Sequence, residues 1–152
     1  MGIEIERKFL VAGTKWKNAT STYFCQGYLS RIKQRTVRVR IADQQAWLTV
    51  KGESNGPTRP EFEYTIPIDD AKELLEICEQ PLIEKNRYVI NHDGMDWEVD
   101  EFLGENSGLV IAEIELDFAD QTFSKPDWVG EEVTDDPRYF NSNLSARPYT
   151  NW

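Results

Sequence analysis

The sequence has one histidine, two cysteines, and no apolar run approaching the roughly 18 residues a membrane-spanning helix needs. His92 stands alone in the turn-like run Asn91-His92-Asp93-Gly94, which excludes a histidine-cluster metal site and a serine–histidine–aspartate hydrolase. Cys25 and Cys78 supply neither a disulfide framework nor a paired metal spacing. They are expected as small buried hydrophobes in a reducing cytoplasm. The opening run MGIEIERKFLV is interrupted by charge throughout, so it does not read as a secretory signal. Positive charge is also short, with 17 Lys and Arg against 27 Asp and Glu and a net charge of −10. Nucleic acid and anionic membranes both require a cationic footprint, so neither is an expected partner. What remains open to such a chain is a small polyanion, held where the few cations are concentrated. A monomer or a homodimer is expected.

What the sequence has is apolar material and alternation. Its 152 residues are 39% hydrophobic, with five Trp, six Tyr and seven Phe, enough to bury a core within one domain spanning 1–152. Period-two patterning recurs at 3–11, 24–32, 37–40, 47–51, 60–68, 84–90, 96–102 and 110–118, which predicts eight strands. Asp93-Gly94 is a two-residue hairpin signal, Gly104 to Gly108 predicts another turn, and Gly52 to Pro60 a longer loop. Asp69-Asp70 is positioned to cap a helix over about 70–79, with Leu74, Leu75 and Cys78 as its apolar stripe and Pro81 as its stop. A further helix is expected between Pro137 and Leu144.

The charges follow the same alternation. Acidic pairs stand at 4/6, 61/63, 98/100 and 113/115, and basic pairs at 38/40 and 85/87. Residues at i and i+2 of a strand share a face, where like charges repel. A solvated outer face tolerates one such pair; a whole set, alternating in sign from strand to strand, asks for another arrangement. Closing eight strands into a barrel removes the sheet edges. It can turn Lys8, Arg38, Arg40, Lys51, Lys85 and Arg87 inward together with the carboxylates, with Arg59 at the margin of the loop. Burying so many charges is unfavourable unless they bind something. Guanidinium and ammonium groups grip phosphate oxygens, and clustered carboxylates bind hard cations such as Mg²⁺ or Mn²⁺.

These residues resemble the CYTH superfamily, the triphosphate tunnel metalloenzymes. Glu4-Ile5-Glu6-Arg7-Lys8 matches the family's ExExK signature. The similarity continues through Gln26-Gly27-Tyr28-Leu29, Val37-Arg38-Val39-Arg40, Leu48-Thr49-Val50-Lys51 and Arg59-Pro60-Glu61-Phe62-Glu63. It runs on through Glu84-Lys85-Asn86-Arg87, Trp97-Glu98-Val99-Asp100, Glu113-Ile114-Glu115, Glu132-Val133-Thr134 and Arg138-Tyr139-Phe140. The resemblance implies a mainly β (α+β) fold, a closed eight-stranded antiparallel β-barrel tunnel with a charged lumen and a few covering helices. It implies Glu4, Glu6, Glu98, Asp100, Glu113 and Glu115 as metal ligands for Mg²⁺ or Mn²⁺. Lys8, Arg38, Arg40, Lys51, Arg59, Lys85, Arg87 and Arg138 are implied as the phosphate clamp. The activity expected is hydrolysis of tripolyphosphate to pyrophosphate and phosphate. A class IV adenylate cyclase, a thiamine or nucleoside triphosphatase, and a non-catalytic polyphosphate-binding module are the alternatives. With no histidine to act as base, Tyr28 is expected to orient water, its proton drawn by Lys85 or Lys8 with a lowered pKa.

Overall fold

The computed structural model describes residues 2–152. Alternation produces the expected strands, β1 Ile3–Val11, β2 Ser21–Ser30, β3 Arg35–Ala42, β4 Gln45–Gly52, β5 Thr58–Ile66, β6 Glu79–His92, β7 Met95–Phe102 and β8 Val110–Glu115. They run in the order β5-β4-β3-β2-β6-β7-β8-β1, and β1 returns to β5 to close an antiparallel barrel. A short ninth strand, β9 Val129–Glu132, adds to β1 near Phe9 and Val11. Its sequence Val-Gly-Glu-Glu has no period-two pattern to announce it. The predicted hairpin at Asp93-Gly94 forms, with φ of 51° and 79°, positive values that a type I′ turn requires at both positions.

Helix α1 spans Ile68–Ile77, with Pro67 at its N-cap. Asp69 and Asp70 therefore lie inside the first turn and cap nothing, although their charge still suits the positive end of the helix. The helix ends at Ile77, so Pro81 falls within β6 and is not needed as a stop. The expected C-terminal helix divides into a 3-10 turn, Pro137–Tyr139, and helix α2, Asn141–Ala146.

Because the polar parity faces inward, most of the core lies outside the barrel wall. The outward residues Trp97, Val99, Ala112 and Ile114 are covered by Trp16 and Trp128 from the connecting segments. Outward residues of β3 and β4, Val39 and Ala46, pack beneath Ala71 and Leu75 of α1. At one end the lumen itself turns apolar. Ile83, Phe102 and Ile111 share the parity of Lys85, Asp100 and Glu113, and pack against Tyr139 and Leu144. Helix α2 thus plugs that end of the barrel.

Gly27 marks where α1 meets the sheet. A Cβ built there would lie 2.8 Å from the Cβ of Cys78 and 2.7 Å from a methyl of Leu82. Gly27→Ala is expected to destabilise the fold by about 1–3 kcal/mol through overpacking. Urea denaturation measures it, and an unchanged midpoint would show that the α1–β6 connection yields freely.

Candidate active site

The lumen holds a cavity of about 360 Å³, within the range of small-ligand sites. Of the residues expected to bind substrate or metal, Glu4, Glu6, Lys8, Arg38, Arg40, Lys51, Arg59, Lys85, Arg87, Glu98, Glu113 and Glu115 all line it, as does Tyr28. The common cause is parity, since every one of them occupies the inward position of its strand.

On the β3–β5 side, Arg38 is buried and donates from Nη2 to Thr49 Oγ1 at 3.2 Å and Glu63 Oε2 at 3.4 Å. Its Nε is buried without a partner. Arg40 donates from Nε to Gln26 Oε1 at 2.8 Å, and Gln26 in turn donates to Asn141 Oδ1 at 3.1 Å. Lys51 bridges Glu4 at 3.1 Å and Glu61 at 3.4 Å. Arg59 is fixed on the Gly52 carbonyl by contacts of 3.1 and 2.9 Å.

The opposite wall is an ion-pair network. Asp100 accepts from Arg87 Nε at 2.7 Å, Arg87 Nη2 at 2.9 Å and Lys85 Nζ at 2.8 Å. Arg87 also reaches Glu98 at 3.1 Å and Glu113 at 3.3 Å. Lys8 pairs with Glu113 and, at 3.2 Å, with Glu6. Two carboxylate triads overlap at Glu6. Glu4, Glu6 and Glu115 bring ligand oxygens within 4.8 Å of one another, and so do Glu6, Glu98 and Glu113.

The proton affinities follow from this crowding. Burial and the charge of Glu113 raise Glu6 to about 8. Burial likewise raises Glu98, and burial with Glu4 and Glu98 raises Glu115. Glu4 is held low despite burial, because Lys51 and Lys8 outweigh it, and Glu113 is held low by Lys8 and Arg87. One part of the lumen therefore carries more negative charge than the protein neutralises. Three acids with elevated proton affinity, offering only oxygen, fit a hard divalent cation. Among the lysines, burial together with Arg87 and Arg40 lowers Lys85 to about 7 against the pull of Asp100. Lys8 is also buried, yet Glu113 and Glu6 drive it upward.

Four expectations need revision on this geometry. Asp100 is absent from both triads, and Lys85 and Arg87 engage both its oxygens, so here it anchors cations. Arg138 lies outside the lumen, where it pairs with Asp136 at 2.7 Å and stacks over Trp152. Its strand-free C-terminal segment gave no parity to orient it. Lys8, flanked by two carboxylates, has the opposite of the lowered proton affinity expected of a base. Tyr28 lies in the tunnel wall, but among the described residues its hydroxyl makes no hydrogen bond to Lys8 or Lys85. Sequence reasoning gave Gln26, Thr49 and Asn141 no role in the site. The first two share the parity of Tyr28 and Lys51 and were open to the same argument; Asn141 belongs to α2 and carried no such signal.

Comparison with known proteins agrees with this architecture. The CYTH domain model matches residues 2–149. An inorganic triphosphatase of Acetivibrio thermocellus is 54% identical over 154 residues, covering 100% of this chain and 99% of the relative. An inorganic triphosphatase of Nitrosomonas europaea is 37% identical over 146 residues, covering 93% of this chain and 96% of that one. The crystal structure of the inorganic triphosphatase NE1496 superposes with a TM-score of 0.68 at 36% identity, covering 93% of each chain.

Two stability changes follow from these charges. Arg87 and Lys85 overcome burial to hold Asp100 at about 2 in the fold. Its stabilisation is complete above the unfolded carboxylate range near pH 4 and is lost as pH falls toward 2, a contribution of about 2–3 kcal/mol. Asp100→Asn should remove most of that acid-side slope in chemical denaturation between pH 5 and pH 2. Glu6 has the reverse sign, because its folded value is raised and its ionisation weakens the fold as pH rises from about 4.5 toward 8. Without metal, Glu6→Gln is expected to stabilise the protein at pH 8 by about 1–2 kcal/mol and to do little at pH 4. Equal effects at both pH values would contradict the charge excess.

Proposed function

The chain belongs to the CYTH family, and on that premise we propose that it hydrolyses inorganic tripolyphosphate to pyrophosphate and phosphate, using a divalent metal ion held in the barrel lumen. The observation that carries this reading is the convergence of two overlapping carboxylate triads and a ring of cations on one cavity of about 360 Å³. A cation ring alone would suit a polyphosphate-binding module, whereas carboxylates crowded enough to raise the proton affinity of Glu6, Glu98 and Glu115 call for metal as well.

Glu4, Glu6 and Glu115, with Glu6, Glu98 and Glu113, would hold Mg²⁺ or Mn²⁺. Such an ion, when bound, neutralises phosphate oxygens and polarises water. The protein's own part is positional and electrostatic. Arg38, on the cavity wall, and Arg40, whose terminal nitrogens have no partner among the described residues, grip phosphate oxygens. Lys8, Lys51, Arg59 and Arg87 complete a field that favours the leaving pyrophosphate as its charge develops. Lys85, lowered to about 7, accepts the proton of the attacking water from its tether between Asp100 and Asn141. Tyr28, on the same lumen, orients that water. The water oxygen bonds to the terminal phosphorus, the bridging P–O bond breaks, and its electron pair leaves with pyrophosphate.

Trp47 favours a second, slower substrate class. It lines the cavity and is partly exposed, so a nucleobase can stack on it. With both cysteines free, we assign the enzyme to the cytoplasm, acting as one domain over 1–152, alone or as a homodimer.

A phosphate-release assay with Mg²⁺ or Mn²⁺ tests the reading. The expected kcat/KM for tripolyphosphate exceeds that for ATP by more than about tenfold, because attraction in a confined cationic channel grows with ligand charge density. Equal turnover of ATP, or cyclic AMP among its products, would overturn the choice of substrate. Turnover should rise with pH through about 7 as Lys85 loses its proton, and Lys85→Met should abolish that limb along with about 10²–10⁴-fold of the rate. Glu115→Gln should raise the metal concentration needed for half-maximal activity, and an unchanged requirement would remove Glu115 from the ligand set.

A further inference from the structure

Phe24 is an anomaly on the inward face of β2. It lines the charged cavity, yet it belongs to none of the three apolar clusters of the protein. Its neighbours are cations. The guanidinium carbon of Arg40 lies 5.0 Å from the centre of its ring, and that of Arg87 lies 4.9 Å from the same centre. Both distances fall within the range in which the electron-rich face of an aromatic ring attracts a cation. The two arginines differ in their other anchors. Arg87 is tied to Asp100, Glu98 and Glu113. Among the described residues Arg40 has no carboxylate partner and keeps only the neutral amide of Gln26. Burial is the largest cost to its charge, the charges of Arg38 and Arg87 add to it, and the more distant charge of Asp100 offsets only part.

We infer that Phe24 is a positioning residue for the phosphate clamp: its ring holds Arg40 and Arg87 side by side in the lumen, where a carboxylate would hold them only by cancelling their charge. An acidic residue at this position would neutralise the clamp and compete with phosphate oxygens, whereas an aromatic quadrupole attracts a guanidinium and leaves its net charge intact. The ring thus keeps Arg40 both fixed and fully available to a polyphosphate. This role rests on the proposed tripolyphosphate activity, and its test is designed to separate the two.

Replacing Phe24 by mono-, di- and trifluorinated phenylalanine keeps the ring's shape and drains its face of electron density in steps. KM for tripolyphosphate is expected to rise stepwise, by about fivefold at the third fluorine, with kcat changed less than about twofold. Phe24→Leu should match or exceed the trifluorinated protein, and Phe24→Trp should restore the wild-type KM. Calorimetric titration with tripolyphosphate should show the same gradient in Kd. A flat series in both KM and Kd, with the unsubstituted protein still turning over tripolyphosphate, overturns the role of Phe24 and leaves the activity standing. A gradient in Kd without any turnover supports Phe24 and overturns the activity.

Discussion

A closed barrel with its polar parity inward has to balance charge in a space that water reaches poorly, and nearly everything else about the molecule answers to that constraint. Fully buried Lys85 and Asp100, with Arg87 beside them, form the dense end of the balance. There every carboxylate oxygen has a cation and the arrangement is self-sufficient, as a buried network must be if it is not to destabilise the fold. Moving from Asp100 to Glu113 and on to Glu6, the compensation thins. Glu6 has only Lys8, which Glu113 also claims. Across the lumen the imbalance reverses, and Arg38 and Arg40 outnumber the acids within their reach. A single interior thus carries a neutral support, an acidic patch and a basic patch, separated by only a few residues of sheet.

The apolar architecture is the complement of this interior. Because the strands turn their charges in, Trp97, Val99, Ile114 and Val39 face out and must be covered from outside by α1, Trp16 and Trp128. The exception is the plugged end, where Ile83, Phe102 and Ile111 continue the inward parity as an apolar floor under α2. Asn141 stands at the boundary. It heads a helix whose Leu144 belongs to that floor, while its own amide touches both Gln26 and Lys85. Lys85 is therefore positioned from two sides, by an acid of the wall and an amide of the plug.

Strand parity made much of this legible in the sequence. Glu4/Glu6, Arg38/Arg40, Lys85/Arg87 and Glu113/Glu115 identify their faces by spacing alone, and closure of the sheet then brings them together. Parity says which side a residue faces but not how far along the barrel axis it lies, nor which partner reaches it. For that reason Glu98 and Asp100 read as equivalents, although Glu98 joins a carboxylate triad and Asp100 is consumed by two cations. Where no strand runs, the guide fails altogether. Arg138 lies within a 3-10 turn and points to solvent, and Asn141, three residues later, enters the lumen. Sequence offered Lys85 and Lys8 alike as lysines of lowered proton affinity; what separates them is closure of the barrel, which buries Lys85 beside Arg87 and Arg40 but sets Lys8 between Glu113 and Glu6.

The seam that closes the barrel is short. Strand β1 meets β5 through three register pairs, Ile3 with Pro60, Glu4 with Arg59 and Ile5 with Thr58, and Pro60 has no N–H to donate to the ladder. By contrast, β3 and β4 are paired over eight. Small, sub-global openings concentrate where the ladder is thinnest, so the barrel should breathe along β1–β5 and amide hydrogens there should exchange early. Glu4 and Glu6 lie on one lip of that seam and Glu61 on the other, with Lys51 of β4 beside it. Whatever occupies the lumen and touches both lips acts as a clasp, and mass action then converts its binding into slower opening of the whole wall.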